Sequence, residues 1–185
     1  MTTLVLGIAI FFGVHLVPSL PGAKDRLVGK IGEKPFKGVF SLISLTGLIL
    51  IGFGFSGADF VPLWEPFDWG RTVALMVMPV AFIFLVAADM PGTIRRSVRH
   101  PMSIGIVLWS GVHLLANGDL ASSLIFACFG TFAVFSALSM QRRGQSKGDG
   151  RADVKFDVIA VVGGLAVYAL ILFAHEFLIG VPIIT

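Results

Sequence analysis

Six apolar runs, separated by short polar stretches, set the pattern of this chain. The first, "TTLVLGIAIFFGV", carries no charge at all. About 20 apolar helical residues cross the hydrocarbon of a bilayer, and each run is close to that length. The pattern predicts transmembrane helices over 2–20, 38–57, 71–89, 101–117, 119–140 and 156–180. Prolines 18, 21, 35, 62, 66, 91, 101 and 182 fall mostly at the ends of these runs, where a missing amide hydrogen costs least. Pro79 falls inside the third and predicts a kink there. The first run lacks a basic leader, and "PSLPGAKDR" offers no small-x-small cleavage site, so it is expected to stay as a permanent first helix. The hydrophilic stretch "RRGQSKGDGRAD" is the one that resembles a flexible linker. The expected fold class is all-α, a polytopic transmembrane helix bundle of about six spans, forming one domain over residues 1–185 with no internal repeat.

Composition and charge sharpen this picture. Of the 185 residues 56% are hydrophobic and 14% charged, against roughly a quarter charged in a soluble domain. Six spans leave no room for a separate soluble catalytic domain. The single cysteine, Cys128, excludes an intrachain disulfide and a CxxC metal site. Basic residues gather in three loops: Lys24, Arg26, Lys30, Lys34 and Lys37 in the first, Arg95, Arg96 and Arg99 in the third, and Arg142, Arg143, Lys147, Arg151 and Lys155 in the fifth. Thirteen of the fourteen basic residues thus lie on one side. Such an array reads as a topology signal with contact to membrane lipid headgroups, and nucleic acid is not expected as a partner. The second loop, "GADFVPLWEPFDWGR", carries Asp59, Glu65 and Asp68, with Trp64 and Trp69 suited to an interfacial belt. Positive loops face the cytoplasm, so both termini are expected to face away from it. The stretch "PGAKDRLVGKIGEKPFKG" is a candidate short interfacial helix.

Small residues recur along the spans: Ser41, Ser44 and Gly47 in the second, Ala127, Gly130 and Ala137 in the fifth, Gly163 and Gly164 in the sixth. In lipid they let helices approach closely, which is packing rather than chemistry.

Candidate chemistry rests on four histidines within or at the ends of spans. An imidazole in hydrocarbon is costly and needs a partner or a role. His15 follows an uncharged run whose helical carbonyls are expected to be used already, so its partner should come from another helix. His113 lies in "LWSGVHLLANGD", and Gly105, Trp109, His113 and Asn117 step by four along one helical face. A glycine beside tryptophan and histidine on that face offers room for a flat ligand. For His15 and His113 three readings stand: a hydrogen bond to a neighbouring helix, ligation of a metal or haem, which apolar helix bundles house well, or a proton-relay role. Intramembrane carboxylates are nearly absent, which argues against zinc or di-iron. His175, beside Glu176, reads as an interfacial residue reaching water. Arg99 and His100, in "RRSVRHPMSIG", either anchor a helix start at headgroups or grip an anionic group of a lipid or cofactor. Asp89 is expected to pair with Arg95 or Arg96.

Taken together, "HLVPSLPGAKDRLVGKIGEKPFKGVFSLISLTGLILI", "RHPMSIGIVLWSGVHLLANGDLASSLIF" and the six-span hydropathy resemble the NnrU family over nearly the whole chain. Its members are bacterial inner-membrane proteins associated with nitrite and nitric oxide metabolism in denitrifiers. The family is related to the ζ-carotene isomerases, which use haem b to isomerise a polyene. The resemblance implies a haem b protein of the bacterial inner (cytoplasmic) membrane, in which the basic-loop asymmetry is expected to put both termini in the periplasm. It implies His15 and His113 as iron ligands, in a pocket between the first and fourth spans. Arg99, His100, Trp109 and Asn117 are the further cofactor-binding candidates. At 1.5 Å per residue His15 lies about 8 Å from the cytoplasmic end of its helix and His113 about 18 Å from Pro101. If those depths differ in the folded chain, His100 or His175 stands in reserve as a ligand. The implied partners are membrane lipid, denitrification proteins or an apolar polyene substrate. The alternative functions are a haem-dependent ζ-carotene-type isomerase and a cofactor-free structural subunit. "RHPMSIG" also resembles the "RHPxYxG" stretch of isoprenylcysteine carboxyl methyltransferases, but Ser103–Ile104 stands where an aromatic is expected. A further transmembrane run replaces their acidic, arginine-bearing tail, which leaves methyl transfer a distant third.

Overall fold

Each of the six apolar runs is a helix. The computed structural model describes residues 1–144, 152–181 and 183. The expected linker falls largely on residues 145–151, and these and Pro182 lie outside the described residues. The helices are α1 (Thr2–Leu16), α2 (Ala23–Ile31), α3 (Glu33–Ser56), α4 (Gly70–Ala87), α5 (Thr93–Ser97), α6 (Pro101–Ala116), α7 (Leu120–Arg142) and α8 (Val154–Ile179). A single 3-10 turn, Val17–Ser19, follows α1, where Pro18 ends the regular helix. Among the described residues there is no strand, only an isolated bridge between Pro62 and Asp119. The fold is therefore all-α and polytopic. Five helices are long and apolar enough to cross a membrane, while α6 is apolar but shorter, at 16 residues. Pro101 sets its first turn, and the extended backbone of Asn117 ends it.

The chain divides into two units. The first comprises Met1–Leu63 and Asp119–Cys128. Its main contact is α1 on α3, made through glycine. A Cβ built on Gly7 would stand 2.6 Å from the Ile51 nitrogen, and one on Gly47 2.8 Å from the Phe11 nitrogen. Gly54 lies likewise against the Leu4 backbone, and Leu4 is fully buried. With no hydrophobic drive between helices in lipid, such close backbone approach is the source of packing energy. The buried stripe of α3 is Phe36, Gly47, Ile51 and Gly54. Ser41, expected on the same face as Gly47, is exposed. Gly32, with φ +87°, separates α2 from α3, a conformation that a residue with a Cβ adopts only under strain. Pro35 then falls in the first turn of α3, where its missing N–H has no helical acceptor to satisfy.

The second unit comprises Trp64–Gly118 and Phe129–Thr185. Its core is Met78, Ala81 and Val112, with Val77, Leu108, Trp109 and Tyr168 packed against them. Gly164 of α8 meets the Ile83 backbone of α4, as its small size predicted. Pro79 sits inside α4 and supplies no amide hydrogen to the Leu75 carbonyl four residues earlier. The Tyr168 hydroxyl of α8 donates to that carbonyl at 3.1 Å. Of α7, Ala133 is buried in this unit, while Ala121, Ser122 and Ile125 are buried in the part that belongs to the first unit, where Ala127, read as a packing residue, is exposed.

The loop after α4 is tied to the start of α8. The Asp157 carboxylate accepts from the Thr93 and Ile94 amides, at 3.0 and 2.9 Å, and from the Thr93 hydroxyl. A side chain on Gly92 would collide with that carboxylate. Asp153 caps α8, accepting from the Lys155 amide at 3.0 Å and pairing with its ammonium at 2.9 Å. Both contacts hold its carboxyl below the usual carboxylate range. Among the described residues the ion pairs are this one and Lys37–Glu33. The expected Asp89 pair with Arg95 or Arg96 does not form. Asp89 is exposed, and a solvated carboxylate gains little by immobilising a long arginine.

Candidate functional site

His15 and His113 belong to different units, and each has a built surrounding of its own. His15 is the penultimate residue of α1. Its Nδ1 donates to the Phe11 carbonyl at 2.7 Å, since a carbonyl can only accept. The ring stacks on Phe11, with centroids 4.1 Å apart and planes at 26°, and meets the edge of Phe40 of α3 at 5.0 Å. The α1–α3 glycine contacts hold these aromatic rings together.

His113 repeats the arrangement on α6. Its Nδ1 donates to the Trp109 carbonyl at 2.8 Å, and the two rings lie 5.4 Å apart. Trp109 stands edge-on to Phe129 of α7 at 5.5 Å. In both histidines the bond to the carbonyl four residues back fixes the tautomer. Nδ1 carries the proton and Nε2 the lone pair, the form in which imidazole ligates iron or another metal.

Two expectations are corrected by this geometry. The carbonyls of a histidine's own helix were expected to be spent on helical bonds, yet Phe11 and Trp109 each accept a second one. A carbonyl oxygen has two lone pairs, and the helix uses one. Gly105 was expected to leave room for a flat ligand. A Cβ there would instead stand 2.9 Å from the Ala81 carbonyl and the Leu85 side chain, so the absent side chain seats α4.

The remaining candidates divide by position. Asn117, four residues beyond His113, donates through Nδ2 to the His113 backbone carbonyl at 2.8 Å. It thereby closes the end of α6 rather than bonding the ring. Arg99 is exposed before the start of α6. His100 precedes Pro101 as the cap residue, and its Nε2 is buried without a hydrogen-bond partner. Thirteen residues at 1.5 Å each put His100 about 20 Å from His113 along α6, so these two are not brought together. His175 donates from Nδ1 to the Val181 carbonyl at 2.8 Å, across the turn made by Gly180 at φ +79°. It closes the end of α8.

Sequence reasoning passed over Ser110. This residue is 2% exposed, and its hydroxyl has no hydrogen-bond partner. The space opposite is Gly130 of α7, whose added Cβ would stand 3.2 Å from the Ser110 Cβ. The position next to Trp109, seven residues from the also-buried Ser103, was the available signal. Among the described residues no cluster of three or more histidine, cysteine or carboxylate side chains could hold a metal ion.

The family model described as "NnrU protein" matches residues 3–183. No curated protein and no solved structure matches the chain.

Proposed function

This chain belongs to the NnrU family, and from that premise we propose that it is a haem b-binding protein of the bacterial inner membrane serving nitrite and nitric oxide metabolism. His15 and His113 are the histidines assigned to the iron. The observation that carries the reading is the shared tautomer. Each Nδ1 is committed to the carbonyl four residues back, at 2.7 and 2.8 Å, which orients the ring and leaves the lone pair on Nε2. Histidine ligands of metals are ordinarily held this way, with the second nitrogen donating to a carbonyl or carboxylate. Aromatic rings beside each histidine support the reading: Phe11 and Phe40 pack on the His15 ring, and Trp109, itself edge-on to Phe129, packs on the His113 ring. When bound, haem supplies one-electron chemistry and an iron able to meet nitric oxide. The chain's own residues orient the ligand rings, exclude water and hold the Nδ1 protons.

The test is the visible spectrum of the purified protein. A Soret band that shifts on dithionite reduction is expected. His15→Ala and His113→Ala should each turn a six-coordinate spectrum into a five-coordinate or haem-free one. His175→Ala should leave it unchanged, since that ring closes a helix end. Loss of haem in His175→Ala with retention in His15→Ala overturns the ligand assignment. A colourless wild-type protein, still colourless after haem is added, overturns the haem reading itself.

A further inference from the structure

We propose that α2 is a lipid-docking helix, lying on an anionic bilayer surface on the side of the basic loops. It stands apart from the haem reading and does not depend on it. None of the residues of α2 is buried. At 100° per residue, Ala23, Leu27 and Ile31 fall within about 80° of its circumference. Lys30 lies about 20° beyond one edge of that stripe and Lys24 about 20° beyond the other. Leu27 and Ile31 expose 39% and 48% of their surface, and Leu20, just before the helix, 54%. An apolar stripe flanked on both sides by lysine fits a membrane interface, where stems lie along hydrocarbon and ammonium groups reach the headgroups.

Two further observations select the occupant. Within the first unit α2 is held between the end of α1 and the start of α3, both candidate membrane spans. Its stripe therefore starts out at the bilayer edge. The charge beside the stripe is also of one kind: Asp25, the acidic residue of α2, falls about 120° beyond its nearer edge, on the opposite face. Arg26 turns back to the Gly22 and Pro21 carbonyls, and Lys37 is paired with Glu33. Lys24, Lys30 and Lys34 remain exposed, with no ion pair among the described residues. Cationic side chains beside an apolar stripe fit anionic lipid better than zwitterionic lipid.

The full chain in a Cys128→Ser background, carrying one nitroxide at Leu27→Cys or Gly29→Cys, tests this in vesicles. The two positions lie about 160° apart round the helix, and Gly29 has open space for a side chain. In phosphatidylcholine with added phosphatidylglycerol, the label at 27 should be reached by bilayer-dissolved oxygen and shielded from an aqueous nickel chelate. The label at 29 should behave the opposite way. Replacing Lys24, Lys30 and Lys34 with Gln should open position 27 to the chelate, by about fivefold in the docking equilibrium per lysine. The same labelled protein with its three lysines intact should move in the same direction in phosphatidylcholine alone. Equal chelate access at 27 and 29 in anionic vesicles overturns the proposal. So does shielding of position 27 from both reagents, which places protein rather than lipid on the stripe. Shielding that survives removal of the three lysines together with the anionic lipid overturns the charge-based recognition.

Discussion

Nδ1 of three of the four histidines is spent on a backbone carbonyl, and this small fact governs what the rest of each ring can do. The residue types were legible in the sequence, because a histidine in an apolar run stands out. Their partners were not, because the second lone pair of a helical carbonyl leaves no trace in the order of residues. The same limit hid Ser110. A serine among apolar residues looks like any small packing residue until its hydroxyl is found buried with nothing to bond. An unmet hydroxyl in a dry contact costs free energy, and replacing it with a methyl group removes that cost. Ser110→Ala should therefore raise the unfolding temperature, by about 1 kcal/mol of stability, measured in detergent micelles. A lowered temperature would mean that the hydroxyl serves the contact with α7.

Elements were far more legible than their contacts. Six apolar runs gave six helices with boundaries displaced by a few residues, because length and hydropathy decide what a bilayer accepts. The glycines at helix contacts were legible in kind, but Gly105 shows how the same signal reads two ways, as ligand room or as a seat for a neighbouring helix. Pro79 was legible as a missing amide inside α4, yet what meets the freed carbonyl lies 89 positions away in Tyr168. A freed carbonyl in hydrocarbon needs a donor from somewhere, and a neighbouring helix supplies it. This predicts a coupling. Tyr168→Phe should destabilise the protein by about 1 kcal/mol. In a Pro79→Ala background, where residue 79 again offers its amide to the Leu75 carbonyl, most of that cost should vanish. A double-mutant cycle on thermal unfolding reads the difference. Equal costs in the two backgrounds would show that the phenol matters for packing and not for that carbonyl.

At the scale of the whole molecule, sidedness follows from charge and from what the chain ends touch. In the first unit Leu4, near the N-terminus, lies on Gly54 at the end of α3 that leads into the acidic second loop. That loop also bonds the turn before α7, through the Val61 carbonyl and the Leu120 amide at 2.9 Å. In the second unit the Trp64 amide meets the Gly118 carbonyl at 3.2 Å, so the second and fourth loops share a side there as well. Arg71, the one basic residue outside the three basic loops, donates to the Ile183 carbonyl near the C-terminus. Each chain end is thus found beside the second loop within its own unit. At the other ends of the same helices, the Asp153 amide bonds the Pro91 carbonyl at 3.2 Å, joining the third and fifth loops. Thirteen of fourteen basic residues lie in the first, third and fifth loops. The positive-inside rule predicts those loops on the cytoplasmic side and both termini on the outer face. A C-terminal alkaline phosphatase fusion should therefore be active, and a C-terminal green fluorescent protein fusion exported by the same route should stay dark. Fluorescence from that C-terminal fusion would reverse the assignment. Its arginine bond to Ile183 would then lie on the cytoplasmic face, and the lysine-flanked helix α2 would meet the opposite leaflet.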